Sequence, residues 1–334
     1  MDKKTILIVA LACFCVLEGF LFFTSRQKPA SDLDYLKEYQ LNNRVFSPVL
    51  PAFADFAGEQ VPLKQYYVRE GFDRELSVNA FWQSNTLILL KKTKRFFSVI
   101  EPILKRNQIP DDFKYLALIE SGLSTVSSPS GAAGFWQFMP DTGKKYGLEI
   151  SEEVDQRYDL EKSTEAACKL LRHSYGLFNN WTLCAAAYNA GESRIQNASS
   201  AQKTSNYYDL YLNTETSRYM FRILAFKLLY EHPTEFGYYL RNKDMYPVIP
   251  THKIIIDTSV SNLVQFASSL GLNYKVLKEF NPWLRKDKLT ISAGKNYSIT
   301  VPDKGFEDFD KLLNQISQAE MIFNDTVTAG KLYR

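Results

Sequence analysis

The sequence predicts a mainly α-helical protein with a small α+β domain near its carboxyl end. Apolar residues recur at helical spacing through residues 45–240, and stretches containing Gly, Ser and Pro separate the helical segments. Residues 251–303 differ, because two strand-like runs enclose two short helical patterns there. With 334 residues the chain is longer than one ordinary domain needs, which agrees with this division.

Composition and charge exclude several classes of protein. Hydrophobic residues make up 45% and charged residues 23%, which excludes wholesale disorder, collagen and a disulfide-dense mini-protein. The 40 basic and 37 acidic residues nearly balance, so the chain has no electrostatic signature of nucleic-acid binding. Aromatic residues are plentiful at 14%, which suits a sugar-binding surface but also an ordinary core.

The His and Cys residues do not form a metal-binding pattern. The three His are scattered at His173, His232 and His252. Two of the four Cys, Cys13 and Cys15, lie in the first apolar run of the chain. A zinc site with the usual Cys/His spacing is therefore excluded.

The amino terminus has the features of a membrane-inserting segment. Two lysines precede the apolar run Thr5–Phe23, whose only charge is Glu18. At about 1.5 Å per residue the run nearly matches a bilayer core, and no clear cleavage site follows it, so we predict an uncleaved signal-anchor over residues 1–25. The lysines predict a cytoplasmic amino terminus and an exported remainder. A cleaved signal peptide is the alternative, whereas lipid attachment at Cys13 is disfavoured because the apolar run continues past it.

Three regions lie between the anchor and the strand-containing unit near the carboxyl end. Residues 26–44 are polar and are interpreted as a linker. Residues 45–108 are predicted to form a helical extension. Its apolar positions at helical spacing include Phe81, Leu87, Leu90, Phe97, Ile100 and Leu104. Pro110 followed by two aspartates is a helix-start signal, which opens the main helical domain over residues 109–240.

A second, smaller domain is predicted near the carboxyl end. Polar and proline-bearing sequence at residues 242–250 marks the boundary. Four short elements follow in the order strand, helix, helix and strand: Lys253–Asp257, Val260–Leu270, Tyr274–Phe280 and Asn296–Val301. Residues 251–303 therefore form a predicted βααβ unit, and residues 304–334 are a carboxyl-terminal tail.

A carboxylate falls on the apolar face of the first predicted helix in the main domain. Phe113, Leu116, Ala117 and Glu120 have the spacing i, i+3, i+4 and i+7, so Glu120 joins a buried face. Gly122 is a plausible helix stop, which places Glu120 in the last turn. Burial and the negative end of the helix dipole both raise the pKa of a carboxyl group, which suits a general acid. The alternative is a glutamate that faces solvent or pairs with an arginine.

Small and aromatic residues near this carboxylate are suited to binding a sugar. Ser121 follows it directly, and residues 127–134 form a small-residue loop that lets a ligand approach the backbone. Residues 135–140 combine aromatic rings, a thioether and one amide, which suit either a sugar or an ordinary core. A small-residue helix further on ends with Tyr188 and Asn189, which place polar groups at its end.

Five segments together resemble the soluble lytic transglycosylase family of the lysozyme-like superfamily. They are YLALIES (Tyr115–Ser121), GAAGFWQFMPDTGKKYGL (Gly131–Leu148), DLEKSTEAA (Asp159–Ala167), WTLCAAAYNAGESRI (Trp181–Ile195) and ETSRYMFRILA (Glu215–Ala225). Their order and spacing agree with the family over residues 109–230. The resemblance implies a lysozyme-like α-helical catalytic domain, and it is strongest to the membrane-bound type D branch, which carries LysM repeats at its carboxyl end.

The βααβ unit resembles one degenerate LysM module. The resemblance is carried by VLKEFNP (Val276–Pro282) and ISAGK (Ile291–Lys295). The usual Gly-Asp-Thr turn after the first strand is absent, and Asp257-Thr258-Ser259 stands there. We expect the module to assist binding to sacculi, and its removal from Lys253 onward to leave the cutting of soluble glycan fragments nearly intact.

The resemblance also implies roles for individual residues. Glu120 matches the family's single catalytic acid/base, and Ser121 matches the neighbour that helps to hold the substrate's N-acetyl region. The other matched positions are expected to bind substrate: Gly134, Gln137 and Met139 on the cleft-lining loop and helix, Tyr188 and Asn189 in a Tyr-Asn motif facing the acid, and Tyr219 near the same site. The chain departs from the family at Ser193 and Phe221, where Gly and Pro are frequent.

The implied reaction cleaves the β-1,4 bond between N-acetylmuramic acid and N-acetylglucosamine and leaves a 1,6-anhydro ring on the muramoyl end. It needs no metal or cofactor. The expected partner is the peptidoglycan glycan strand, and the expected place is the bacterial periplasm, with the membrane as the anchoring surface. That compartment would let Cys168 and Cys184 form a disulfide, although small buried thiols are the favoured interpretation.

Two alternative functions stay open from the sequence. A goose-type lysozyme or chitinase-like hydrolase would use water and a second carboxylate, for which Asp141, Glu152, Asp155 and Asp159 are candidates. A non-catalytic peptidoglycan-binding or scaffolding protein would use the anchor and the module equally well. Such a binder would have no use for an acid on a buried helix face.

Overall fold

The structure is a computed structural model that describes Asp2, Thr5, Glu18, Asp32–Asn42 and residues 45–314. Apart from Asp2, Thr5 and Glu18, the predicted signal-anchor lies outside these residues, as does the tail beyond position 314. Among the helices in the described ranges, none is long and apolar enough to cross a membrane. The chain divides into two units, Met1–Ser47 and Pro48–Arg334.

The first unit contains a helix, α1, at Asp32–Asn42. This helix lies within residues 26–44, which the sequence predicts to be a linker and not a helix. The helical stretch DLDYLKEYQLN contains no Pro or Gly and is rich in Leu, Lys, Glu and Gln. These residues lose little conformational freedom in a helix, so polar composition did not prevent helix formation here.

The second unit begins with a short antiparallel hairpin rather than a helix. Strand β1, Asp55–Phe56, pairs with strand β2, Glu59–Gln60. The turn between them, Ala57-Gly58, has positive φ at both residues, which a helix cannot accommodate. Three prolines also interrupt residues 45–65. The helical prediction for residues 45–108 is therefore wrong before Tyr66, where the first helix of this unit begins.

Two long helices complete the amino-terminal part of this unit: α2 at Tyr66–Phe81 and α3 at Gln83–Arg106. Of the apolar residues that predicted helix here, Leu90, Phe97, Ile100 and Leu104 are buried in the main core. Phe81, at the end of α2, is instead 47% exposed. The helical spacing therefore identified the buried face of α3.

The main domain consists of helices that surround a buried central helix. They are α4 at Lys114–Ser121, α5 at Pro140–Lys145, α6 at Leu160–Phe178, α7 at Trp181–Ala190, α8 at Glu192–Gln202 and α9 at Thr214–Glu231. Tyr115, Leu116, Ala117 and Leu118 of α4 are all 1% exposed or less. Cys168 on α6 and Cys184 on α7 are free, buried thiols.

The carboxyl-terminal module has the predicted βααβ order. Its elements are strand β3 at Thr251–Ile256, helix α10 at Leu263–Ser269, helix α11 at Tyr274–Phe280 and strand β4 at Tyr297–Pro302. The strands pair antiparallel, with Ile254 opposite Ile299. A short helix, α12, follows at Phe309–Asn314. The module has its own apolar core, which also takes in Val154 from the main domain. The mainly α-helical fold with a small strand-containing domain is thus confirmed.

Candidate active site

Glu120 lies in the last turn of α4, where the buried central helix reaches the surface. The helix ends at Gly122, whose φ of 59° is left-handed and whose N–H donates to the carbonyl of Leu118 at 2.9 Å. Glu120 itself is partly buried. The sequence prediction of a carboxylate at the end of a buried helix therefore corresponds to its position in the structure.

The surroundings of Glu120 favour its protonated form. Its removal from water is the largest influence and raises the pKa of its carboxyl group. The hydroxyl of Tyr219 donates a hydrogen bond to Oε1 of Glu120 at 2.5 Å, and this bond lowers the pKa, as does the charge of Arg222. Glu215 raises it. The net direction is upward, so a larger fraction of this carboxyl holds a proton near neutral pH than of an exposed one.

One face of α9 supplies the groups that act on Glu120. Glu215, Tyr219 and Arg222 have the spacing i, i+4 and i+7, so all three point to the same side of the helix. The guanidinium of Arg222 lies 5.9 Å from the ring centre of Tyr219. Its Nε is buried and has no hydrogen-bond partner among the described residues. Sequence reasoning found Tyr219 and missed the other two, although their helical spacing from Tyr219 was visible.

The end of α7 connects α9 to the loop beside Glu120. The hydroxyl of Tyr188 donates to the carbonyl of Trp136 at 2.6 Å. Burial and the charge of Glu120 raise the pKa of Tyr188, so its hydroxyl stays neutral. Asn189 accepts from the hydroxyl of Thr216 at 2.9 Å, and its amide nitrogen lies 3.4 Å from Glu215. The Tyr-Asn pair therefore fixes neighbouring elements of the site.

The cleft loop, residues 131–139, contains three of the residues predicted to bind substrate. Gly134 has φ of 79°, and a Cβ there would lie 1.7 Å from the carbonyl oxygen of Arg157, so no other residue fits. Gln137 has φ of 48° and its side-chain amide donates to the carbonyls of Val126 and Gly134, at 3.1 and 2.8 Å. Met139 is 44% exposed, as a substrate-contacting residue would be.

Ser121 links the cleft loop to the helix that carries Glu120. Its hydroxyl lies 2.8 Å from the carbonyl of Phe135 and 3.1 Å from the carbonyl of Ala117. Trp136 and Phe138 of the loop are 0% and 2% exposed, so both belong to the core rather than to a sugar-stacking surface. The structure therefore separates the loop into residues that anchor it and residues that face solvent.

Of the four carboxylates that the sequence offered as partners for Glu120, three interact with other groups, and the fourth, Asp141, is exposed in the first turn of α5. Asp155 forms a buried ion pair with Arg157, Glu152 lies 3.9 Å from Lys286, and Asp159 caps α6 by accepting from a backbone N–H. The carboxylate that acts electrostatically on Glu120 is Glu215. Among the residues of the described part of the chain, no group of three or more His, Cys, Asp and Glu could hold a metal ion.

The helical domain and the module each match a known family. Residues 97–211 match the family described as Transglycosylase SLT domain. Residues 252–305 match the family described as Soluble lytic transglycosylase C-terminal LysM-like domain. The chain therefore carries an SLT domain followed by a LysM-like domain, and both of these resemblances drawn from the sequence are confirmed.

Several known proteins are similar to parts of the chain. The chain is 28% identical over 224 residues to the membrane-bound lytic murein transglycosylase D of Escherichia coli strain K12. The aligned part covers 65% of this chain and 48% of that protein. The same protein from strain CFT073 of Escherichia coli gives the same values. The chain thus spans about half the length of the curated relatives it matches. The crystal structure of the 70 kDa soluble lytic transglycosylase of Escherichia coli is 25% identical, with a TM-score of 0.35, over 42% of this chain and 24% of that one.

Proposed function

We propose that the protein is a peptidoglycan lytic transglycosylase with Glu120 as its single acid/base. The observation that carries the proposal is a carboxyl group of raised pKa at the end of a buried helix, held by the hydroxyl of Tyr219. A non-catalytic binder has no need of a carboxyl that is costly to ionise. The family matches and the relatives support the same reaction class.

In the proposed mechanism Glu120 acts twice. It first donates its proton to the oxygen of the β-1,4 bond, while the substrate's N-acetyl oxygen stabilises the positive charge that develops on the muramoyl ring. The resulting carboxylate then takes the proton of the muramoyl 6-hydroxyl, whose oxygen closes the 1,6-anhydro ring. Tyr219 and Arg222 stabilise the charged form of Glu120 between the two steps. No water enters the bond-forming step, so one carboxylate suffices.

Substrate positioning is assigned to the residues around this carboxyl. Met139 is exposed on the cleft loop, and Gly134 lets the loop pack directly against the carbonyl oxygen of Arg157 because it carries no side chain. Ser121 and Gln137 hold the loop through hydrogen bonds to its own carbonyls. Tyr188 also holds this loop, through the carbonyl of Trp136, whereas Asn189 holds α9 through the hydroxyl of Thr216. These residues set the geometry in which the N-acetyl region meets Glu120.

The proposed place of action is the periplasmic face of the cell envelope. The support is the apolar run Thr5–Phe23 behind two lysines, together with a relative described as membrane-bound. We expect the full-length protein to stay with membranes after a high-salt wash, and a variant lacking residues 1–25 to be recovered in the soluble fraction. Recovery of the intact, uncleaved chain in the soluble fraction would contradict an anchor.

The test of the reaction is the mass of the muropeptides released from purified sacculi. Lytic transglycosylase activity releases products that end in 1,6-anhydro-muramic acid, one water lighter than the products of hydrolysis. Reducing ends would identify a hydrolase, and unaltered sacculi would identify a binder. Either of those outcomes would refute the proposal.

Glu120→Gln tests the role of the acid/base directly. The amide keeps the shape but has no proton to transfer, so activity should fall by about 10⁴-fold, the upper end for general acid–base catalysis, because one group serves both steps. The melting temperature should be unchanged, since a buried amide costs no more than a buried protonated acid. The matched control is Glu165→Gln on α6, whose carboxylate pairs with Arg106 away from the site and whose loss should leave activity intact. A folded Glu120→Gln protein with more than about a tenth of wild-type turnover would disprove the assignment.

A further inference from the structure

We infer that the LysM-like module positions the cleft loop of the catalytic domain, and that Arg157 is the positioning residue through which it does so. The inference rests on the proposed function, because it concerns the loop that is assigned to hold the substrate. The connecting element is the bracing segment, residues 149–157. This segment contacts the module at one end and the cleft loop at the other.

At the module end, the bracing segment is attached through its backbone. The N–H of Asp155 donates to the carbonyl of Trp283 at 2.9 Å, and the N–H of Arg285 donates to the carbonyl of Glu153 at 2.8 Å. Between them Val154 is 2% exposed and belongs to the apolar core of the module. One residue of the main domain is thus an integral part of the module's interior.

Side chains strengthen the same attachment. The carboxylate of Glu153 accepts from the backbone N–H of Thr290 at 2.7 Å and lies 3.3 Å from the ammonium of Lys288. The hydrogen bond from this backbone N–H is the main reason that the pKa of Glu153 is lowered. Glu149, at the start of the segment, pairs with Lys295 at 2.8 Å and accepts from the hydroxyl of Tyr297 at 2.9 Å.

At the other end, Arg157 connects the segment to the cleft loop. Its Nε and Nη2 bind the carboxylate of Asp155, the latter at 2.7 Å, in the bidentate geometry that fixes a guanidinium plane. Its Nη1 then donates to the carbonyls of Gly131 at 2.8 Å and Phe138 at 3.1 Å. Arg157 and Asp155 are 8% and 6% exposed, so these bonds are shielded from competing water.

These two carbonyls belong to opposite ends of the cleft loop. The loop is also held at its middle, where Gly134 packs directly against the carbonyl oxygen of Arg157. One residue therefore fixes the loop at three places. The loop in turn contacts the helix of Glu120 through the Ser121 hydroxyl and the Phe135 carbonyl. A displacement of Arg157 would consequently change the position of the substrate relative to Glu120.

A module that served only to retain the enzyme on sacculi would need none of these contacts, since a flexible tether would suffice. Exposed ion pairs such as Lys286–Glu152 would be weak support for a fixed arrangement. Stronger support comes from contacts that are buried or involve the backbone, namely Val154, the two backbone hydrogen bonds and the Asp155–Arg157 pair. They fix the segment in one position from the module to the loop.

The first experiment uses Arg157→Lys in the full chain. Lysine keeps the charge but lacks the planar fork that reaches a carboxylate and two carbonyls together. We expect kcat/KM on soluble glycan fragments to fall between about 10- and 100-fold, as for a misplacement on the order of 1 Å. The alkaline limb of the pH profile should not move, because Glu120 keeps its neighbours on α9. Hydrogen exchange should accelerate at the loop amides of Ala133 and Gly134 and remain unchanged in α7 and α9.

The second experiment tests the module end. Glu153→Ala should produce the same kind of change as Arg157→Lys, smaller in size, and the double variant should lose less than the product of the two single losses. The matched control is Lys275→Ala, which removes an exposed pair with Glu279 on α11 of the module. This control should leave both kcat/KM and the exchange of the cleft loop at wild-type values.

The outcomes separate this inference from the proposed function. If the wild-type protein does not cut glycan, the proposed function fails, while the exchange measurements still decide whether Glu153 and Arg157 hold the loop. If Arg157→Lys keeps wild-type kcat/KM and wild-type exchange in an active enzyme, the inference is overturned. It is also overturned if exchange rises equally in α7, α9 and the loop, because that result means general destabilisation, or if the two single losses multiply.

Discussion

At the scale of single residues, the protonation of Glu120 is set by a balance between burial and three side chains of α9. Burial and Glu215 raise its pKa, whereas Tyr219 and Arg222 lower it. Because Glu120 must hold a proton to start the proposed reaction, its pKa sets the alkaline limb of activity. Substitution of each neighbour should therefore shift that limb in a defined direction.

Glu215→Gln should move the alkaline limb of kcat/KM to lower pH. The substitution removes a negative charge that raises the pKa of Glu120, so the carboxyl loses its proton earlier as pH rises. The shift should shrink in high salt, because Glu215 is exposed and its charge is screened. The released products should still carry 1,6-anhydro ends. A switch to reducing ends would instead make Glu215 part of the chemistry.

Arg222→Gln should move the same limb in the opposite direction. It removes a positive charge that lowers the pKa of Glu120, so the proton is retained to higher pH. The two variants check each other, since a general loosening of the site would shift both profiles the same way. The measurement is the pH profile of kcat/KM on one soluble glycan. If the alkaline limbs of both variants moved in the same direction, this electrostatic account would be contradicted.

The sequence predicted which residues form the candidate site better than it predicted the electrostatics of that site. Glu120, Tyr188 and Tyr219 belong to short motifs that are recognisable in one dimension. The influence of Arg222 and Glu215 depends on where α9 lies relative to α4, which is a tertiary contact. Trp136 was ambiguous for a similar reason, because an aromatic residue suits a core and a sugar site equally until its burial is known.

At the scale of elements, helices α2 and α9 pack closely against each other. Gly71 of α2 faces Phe221 of α9, and a Cβ on this glycine would lie 2.5 Å from the ring. Phe221 is 8% exposed, so its ring has little room to move. The chain thus combines a glycine on one helix with the phenylalanine that stands where the family often has proline.

Gly71→Ala should destabilise the protein although alanine favours helix. The better helix propensity contributes about 1 kcal/mol, while the overpacking against Phe221 costs about 1–3 kcal/mol. The control is Gly176→Ala on the exposed face of α6, where a Cβ meets nothing within 4 Å and stability should rise by about 0.5–1 kcal/mol. Urea unfolding of both variants gives the comparison. A more stable Gly71→Ala protein would show that the two helices can separate without cost.

Element prediction succeeded where a periodic pattern was long or was bounded by clear stop signals. The βααβ module was found in order, and helix α11 was placed at Tyr274–Phe280 as predicted. It failed for residues 45–65, because scattered apolar residues can imitate helical spacing in a segment that prolines and the Ala57-Gly58 turn keep extended. It did not find helix α1, which lies within the polar segment predicted as a linker.

At the scale of the whole molecule, the attachment of the module to the catalytic domain was not predictable from the sequence. The bracing segment contains no periodic pattern, and its partners lie more than a hundred residues away in the chain. Tyr297 donates a hydrogen bond to Glu149, for example, and the backbone N–H of Thr290 donates one to Glu153. Backbone hydrogen bonds between two loops leave no signature in residue type. The sequence therefore suggested two independent domains. The contacts in the structure change the effect that we expect from removing the module.

Removal of the chain from Lys253 onward should impair the catalytic domain itself, contrary to the expectation from sequence. It exposes Val154, whose burial is worth about 1.5–3 kcal/mol, and leaves the carboxylates of Glu149 and Glu153 without their module partners. We expect a lower melting temperature and loss of activity on soluble glycan fragments as well as on sacculi. The truncated chain carrying Val154→Thr, which replaces the exposed apolar group with a polar isostere, should regain solubility but not activity, because Arg157 would still lack a fixed segment behind it. A truncated protein with the melting temperature and soluble-fragment activity of the full chain would mean that the module acts only as a glycan-binding attachment.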